Sequence, residues 1–331
     1  MKRVYLYIPI IVLIVSSCSK EAAVTPSAEQ QEEPIKEEIF KPIYTTDNSG
    51  LLSNFINNIE FDGSFAKIST ANGYTTFDGA NWNTLTTSNS TLPSNKINAS
   101  HTSGSITWIA TDGGLVKLDG SMTIYNTSNS LIPANKIRSL DIDPLGNLWI
   151  GTFSGGGLAK FDGTNWTVYT PSNSGLPNNS VSAVKADLSG NIWIATASGL
   201  SKFDGKNFTN YKKDNSGLPN NSVYSITIEN DIIWIGTNGG LTRFDGSSWE
   251  TFDTQNSDLP LNLVRAISLE SSQSLLIGMF GQGIAKFDYN NNTWEHINSN
   301  NSNLQNNFVN AITIAPDNKK WLSTENGITI K

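Results

Sequence analysis

From about residue 40 onward the chain is written in short apolar runs separated by Asn-, Asp- and Gly-rich stretches. Around residues 181–211 the runs are 181–186, 191–195, 200–203 and 208–211. Each is rich in β-branched or aromatic residues, and the intervening Asp187-Leu188-Ser189-Gly190, Gly199 and Asp204-Gly205 are turn formers. This alternation predicts four short strands joined by tight turns. The same pattern then repeats. Aligned on Trp149-Ile150-Gly151-Thr152, equivalent segments begin at residues 67, 108, 149, 193, 234, 276 and 321, at spacings of 41, 41, 44, 41, 42 and 45. Phe-Asp-Gly recurs at Phe77, Phe161, Phe203 and Phe244, with variants at Leu118 and Phe287. Asn-Ser occurs at Asn48, Asn89, Asn129, Asn173, Asn215, Asn256 and Asn301, and in every copy another Asn follows six residues later, from Asn54 to Asn307. All nine Trp fall in two slots of this unit.

Four strands at a period near 40 residues predict a blade of a β-propeller. The expected fold is all-β: a seven-bladed β-propeller of four-stranded blades over residues 39–331, with the Trp and Phe slots forming the core between blades. The last copy stops at its third strand, residues 327–331. Residues 40–45, just before the first Asn-Ser, match the fourth-strand pattern. This N-terminal outer strand is expected to complete the C-terminal blade, where Pro42 would sit on a free edge.

The run Asp-x-x-Gly-Asn-Ile-Trp-Ile-Gly-Thr, then Gly-Gly-Leu, then Phe-Asp-Gly resembles the two-component-regulator propeller repeat. The resemblance covers residues from about 40 to 331. It implies an extracytoplasmic sensor propeller of the kind found in bacterial hybrid kinases and in secreted or lipid-anchored proteins. Seven units are present without a histidine-kinase or response-regulator region, so a stand-alone lipoprotein form is expected.

Composition narrows the function classes. The chain has 331 residues, a net charge of -7, 40 Asn, 27 Gly, two His and a single Cys. An acidic balance argues against nucleic-acid binding, which needs a basic face. One Cys excludes a disulfide framework and Cys-rich metal sites. No cofactor and no metal site are expected, and the protein is expected to be a monomer.

The N-terminus reads as an address. Lys2 and Arg3 precede an apolar run from Val4 to Val15, too short to span a bilayer as a helix. Val15-Ser16-Ser17-Cys18 follows. This resembles a bacterial lipoprotein signal over residues 1–17, with Cys18 as the lipidation site. Residues 18–38, with six Glu and two Pro, predict a flexible acidic tether. By the same resemblance Ser19 favours an outer-membrane lipoprotein, periplasmic or surface-exposed, and Lys20-Glu21 resembles a surface-export tag. The membrane is reached through the lipid anchor only.

Candidate chemistry lies in the departures from the repeat. The recurring Asp of Phe-Asp-Gly predicts a turn rather than a catalytic group, because a catalytic site occurs once. Related streptogramin-lyase propellers use a His pair. Here His101 is expected on a first strand and His296 on a fourth, about a blade width apart, so no catalytic residue is assigned. The residue after the first apolar position of each first strand varies between copies: Asn57, Asn98, Arg138, Ser182, Tyr224, Arg265 and Asn310. The loops between second and third strands also break pattern, at Phe153 and at Phe280 and Gln282. These ten residues are the expected ligand-binding set on the channel face, where two Arg and one Tyr suit a carboxylate or a sugar. The function expected is a non-catalytic module for a glycan, peptide or protein ligand. The alternative is a propeller enzyme of lyase or hydrolase type acting at the channel mouth.

Overall fold

The computed structural model describes residues 43–153 and 155–331. The expected signal peptide, the Cys18 lipidation site and the expected tether, together with Phe40 and Pro42, lie outside the described residues. Seven antiparallel four-stranded sheets make up the described chain, with no helix among its residues. In the fourth blade the strands are Val181–Ala186, Ile192–Thr196, Gly199–Phe203 and Phe208–Tyr211. The second begins one residue later and the third one residue earlier than the apolar runs predict. The ladder extends into the Gly199 turn, where Thr196 pairs with Gly199, while Asn191 closes the preceding turn, its carbonyl accepting the Asp187 N–H.

First strands of neighbouring blades touch around the ring, the last against the first. They line a central channel, and fourth strands lie outermost. Aromatic rings fill the space between blades. Within a blade, the third-strand Phe stacks on the fourth-strand Trp, as in Phe77–Trp82 at 4.3 Å and Phe287–Trp294 at 4.0 Å. Across blades, Trp149 meets Phe203 edge-on at 5.8 Å and Trp193 meets Phe244 at 6.1 Å. Burial of such rings is the main driving force for blade association.

The seventh blade consists of Val309–Ile314, Lys320–Thr324 and Gly327–Ile330, completed by Ile43–Tyr44 from the N-terminus. Ile43 pairs with Thr329 and Tyr44 with Ile328. Gly327 has φ 101°, and a Cβ there would stand 2.4 Å from the Tyr44 carbonyl oxygen. Gly199 approaches the Tyr211 carbonyl oxygen in the same way at 2.4 Å, so the closing strand reproduces the geometry of a covalently continuous blade.

The Asn repeats satisfy backbone groups between the outer strand and the next blade. In all seven copies the Asn-Ser asparagine accepts a backbone N–H three residues upstream through Oδ1. Its Nδ2 donates to a carbonyl five residues upstream. The second Asn accepts the N–H eight residues upstream in six copies. The exception is Asn179, whose buried Oδ1 has no partner. Eight residues upstream stands Pro171, which has no N–H to give. We therefore expect Pro171→Thr to stabilise the protein. Satisfying a buried acceptor contributes about 1–3 kcal/mol, more than the ~0.4–1 kcal/mol a proline contributes through the unfolded chain. A lower thermal midpoint for this variant contradicts the assignment.

The Asp of Phe-Asp-Gly accepts two backbone N–H groups of its own turn. Asp78 accepts from Ala80 and Asn81, and Asp204 from Lys206 and Asn207. Backbone hydrogen bonds hold these exposed carboxyls below the usual range, Asp245 down to about 2.

Candidate functional site

The seven variable residues share one local feature. In every blade the pairing of first and second strands slips by one residue, between Ile56 and Asn58, Ile97 and Ala99, Ile137 and Ser139, and likewise in the other four. Asn57, Asn98, Arg138, Ser182, Tyr224, Arg265 and Asn310 are therefore the bulged residues. A bulge leaves its residue outside the ladder and re-aims the side chain.

Three of the seven hold the ring together. Asn57 donates to the Ile97 carbonyl at 2.6 Å, Asn98 to Ile137 at 2.7 Å, and Asn310 to Ile56 at 3.0 Å, in each case across to the next blade. Arg138, Ser182, Tyr224 and Arg265 make no such bond. Among the described residues neither Arg138 nor Arg265 has a carboxylate or hydrogen-bond partner.

The loops between second and third strands and those entering the first strands lie on one face. Asp112 N–H donates to the Lys96 carbonyl, Phe153 N–H to Lys136, and Phe280 N–H to Leu263. This brings Phe280 beside the bulges of blades five and six. The Arg265 guanidinium lies 5.0 Å from the Tyr224 ring centre and 4.8 Å from that of Phe280. Phe280 in turn meets Phe308 edge-on at 4.7 Å. On the neighbouring arc, Lys136 lies 5.1 Å over exposed Phe153. Asp112 receives Asn98 at 2.8 Å and sits 3.5 Å from Lys96 and 3.9 Å from Lys136. Gln282 stands apart: it is exposed, and its carbonyl oxygen contacts His296 Nε2 at 2.6 Å on the outer strand.

Arg138 is exposed on the inner strand of its blade, inside the ring. Desolvation first, then the like charge of Arg265, push its pKa below the ordinary guanidinium value, while Asp112 opposes. The group stays protonated.

The channel behind this face contains cavities of about 640 and 400 Å³ that share Asn58 and Lys185 in their walls. Arg265 and Asn310 line the first, Glu60 and His101 the second. Three residues beyond each bulge, a second ring runs Glu60, His101, Asp141, Lys185, Thr227, Ser268 and Thr313. His101 Nδ1 lies 3.8 Å from Glu60 and 3.9 Å from Asp141, and Lys185 lies 3.3 Å from Asp141. Much of this ring joins blades. Glu60 accepts Thr102 N–H, Asp141 accepts Ala186 N–H, and Thr227 and Thr313 donate to the Ile267 and Ile59 carbonyls. No cluster of metal-binding geometry occurs among the described residues. His296 is on the outer strand Thr293–Ile297, so it shares no site with His101.

Sequence reasoning missed Lys96, Asp112, Lys136 and Phe308 on the bulge face, and the Glu60–His101–Asp141–Lys185 row. The row was readable from the repeat alignment, because its members occupy one position of the unit. The others have no common residue type to mark them.

The two component regulator propeller family model matches residues 131–154 and 217–239. No curated protein sequence matches the chain. Among solved structures, the extracellular domain of a B. thetaiotaomicron protein described as a hybrid two component system superposes with a TM-score of 0.72 at 21% identity, over 88% of this chain and 39% of that one. PorZ of Porphyromonas gingivalis, described as a surface component of the type-IX secretion system, gives 0.69 at 14% identity over 84% and 46%. Virginiamycin B lyase from Staphylococcus aureus gives 0.68 at 16% identity over 88% and 98%. The chain thus spans about two fifths of the B. thetaiotaomicron chain it resembles.

Proposed function

We propose, for a seven-bladed chain in which two segments match the two component regulator propeller model, that it acts as an extracytoplasmic ligand-binding or sensor module whose site is the bulge face of the channel. The observation that carries this reading is the division among the seven bulged residues. Three asparagines join blades, whereas Arg138, Ser182, Tyr224 and Arg265 are presented without a structural partner of that kind. A repeat that varies at one position only where the fold does not need it has that position available for recognition. Screening the mature chain against glycan and peptide panels tests it. A ligand found this way should lose at least about tenfold in affinity with Tyr224→Ala or Arg265→Ala, the scale of one buried contact. Unchanged binding in both variants moves the site elsewhere.

The extracellular placement of the B. thetaiotaomicron neighbours supports a location outside the cytoplasm. No helix among the described residues is long and apolar enough to cross a membrane. We further propose anchoring through lipid on Cys18. Cys18→Ser should move the protein from the membrane fraction to the soluble one. Continued membrane association of that variant, with no labelled fatty acid on the wild type, contradicts the anchor.

The alternative, a propeller lyase or hydrolase, draws on one observation, the imidazole of His101 between two carboxylates. It requires turnover that His101→Ala abolishes.

A further inference from the structure

Arg265 is held as a fixed donor. Tyr224 and Phe280 approach its guanidinium to 5.0 and 4.8 Å, which restrains its orientation by cation–π attraction. The guanidinium lies over both rings, and its N–H edge is the fork that matches a carboxylate. No hydrogen bond within the described residues occupies it. Arg138 comes from the equivalent bulge of blade three, so the two arginines stand at the same mouth of the channel, and the charge of Arg265 is among the causes that lower the Arg138 pKa, after desolvation. Asp112, the acid whose charge acts on Arg138, is already placed between Lys96, Lys136 and Asn98. A chain of net charge -7 therefore carries a concentrated positive patch on one face of its ring. Two like charges left facing one space raise the energy of the empty state, and an anion bound between them relieves it. The adjoining cavity of about 640 Å³ is of the size that accepts a small molecule.

Resting on the reading of the bulge face as the binding site, we infer that its ligand is a small polycarboxylate held between Arg138 and Arg265. One carboxylate engages the N–H edge of Arg265, and a second engages Arg138. Asp141, which lines the same cavity three residues further along its strand, and Glu60 in the adjoining one repel the ligand, which keeps it at the Arg265 end.

Isothermal titration of the mature full-length chain with tricarballylate tests the inference, with acetate and uncharged glycerol as comparators. Tricarballylate should bind at least about tenfold more tightly than acetate, with affinity falling as salt rises. Arg138→Gln and Arg265→Gln should each weaken it about tenfold or more. Arg265→Lys should fall between, because it keeps the charge and loses the fork. Lys206→Gln, which removes a charge from an exposed outer turn, should bind as the wild type does. Tricarballylate binding no tighter than acetate, or unaffected by both arginine variants, overturns the inference. If a neutral panel ligand loses affinity with Tyr224→Ala while tricarballylate gives no heat, the face is a binding site and the polycarboxylate assignment falls alone. If neither responds to the variants, both fall.

Discussion

A chain lacking residues 19–46 should melt roughly 10 °C or more below one lacking residues 19–38. The longer deletion removes Ile43–Tyr44, the outer strand of the seventh blade. Tyr44 packs within 5.4 Å of Phe77, 5.1 Å of Trp82 and 5.7 Å of Trp321, ring centre to ring centre. These rings belong to the first and last blades, so Tyr44 joins the two ends of the chain. Its loss also uncovers Ile328 and Ile330, now fully or nearly buried. A half-buried aromatic ring contributes about 1–1.5 kcal/mol, each ladder hydrogen bond about 1 kcal/mol, and the uncovering of Ile328 and Ile330 adds to both. The sum approaches the low end of the ~5–15 kcal/mol stability of a typical domain. At about 2–4 °C per kcal/mol for a chain of this class, the shift is large. Residues 19–38 precede every described strand, so their loss should leave the midpoint unchanged. Calorimetry decides it: equal midpoints for the two truncations contradict closure by the N-terminal strand.

Asp143→Ala should be the most damaging single change at a polar residue. Asp143 is buried and accepts the Trp149 indole N–H at 2.8 Å, Asn147 Nδ2, and the backbone N–H groups of Leu145 and Asn147. Its removal strands several donors, including the buried indole. Breaking a buried charged network of this kind costs about 3–5 kcal/mol. The pH dependence has a definite sign. Burial pushes the Asp143 carboxyl up, but the hydrogen bonds from Trp149, Asn147 and Leu145 outweigh it, and the pKa ends below the ordinary value. A depressed folded pKa stabilises the protein above the unfolded value, about 3.9, and that contribution is lost as pH falls through the folded one. The difference in urea stability between wild type and Asp143→Ala should therefore be full at pH ~6 and shrink below pH ~4. A difference under ~1 kcal/mol, or one constant with pH, contradicts the network's role. Trp234 offers a comparison within the protein, since its indole N–H is buried without an acceptor.

The architecture was legible because each blade solves the same problem with the same residues. Trp149 and Trp193 occupy equivalent core positions, Asn129 and Asn173 equivalent turn positions, and the unmatched fourth strand announced the closure. The site was legible only in part. Alignment singled out the bulged position by its variability, but not the bulge, which depends on pairing with the second strand rather than on local periodicity. Nor did residue type separate the roles. Asn57, Asn98 and Asn310 look as suited to a ligand as Ser182 does, yet they bond to carbonyls of the next blade. The arc from Tyr224 through Arg265 and Phe280 to Phe308 joins three blades across 84 residues of sequence, a proximity that no window of one repeat reveals.

Amide hydrogen exchange at saturating tricarballylate tests the location of the site most directly. Protection is expected at residues 136–138, 263–265 and 280–283, on the face where the bulges, the strand entries and the Phe280 loop meet. Protection confined to the outer strands, or to the opposite hairpins around Leu145 and Leu188, contradicts the account.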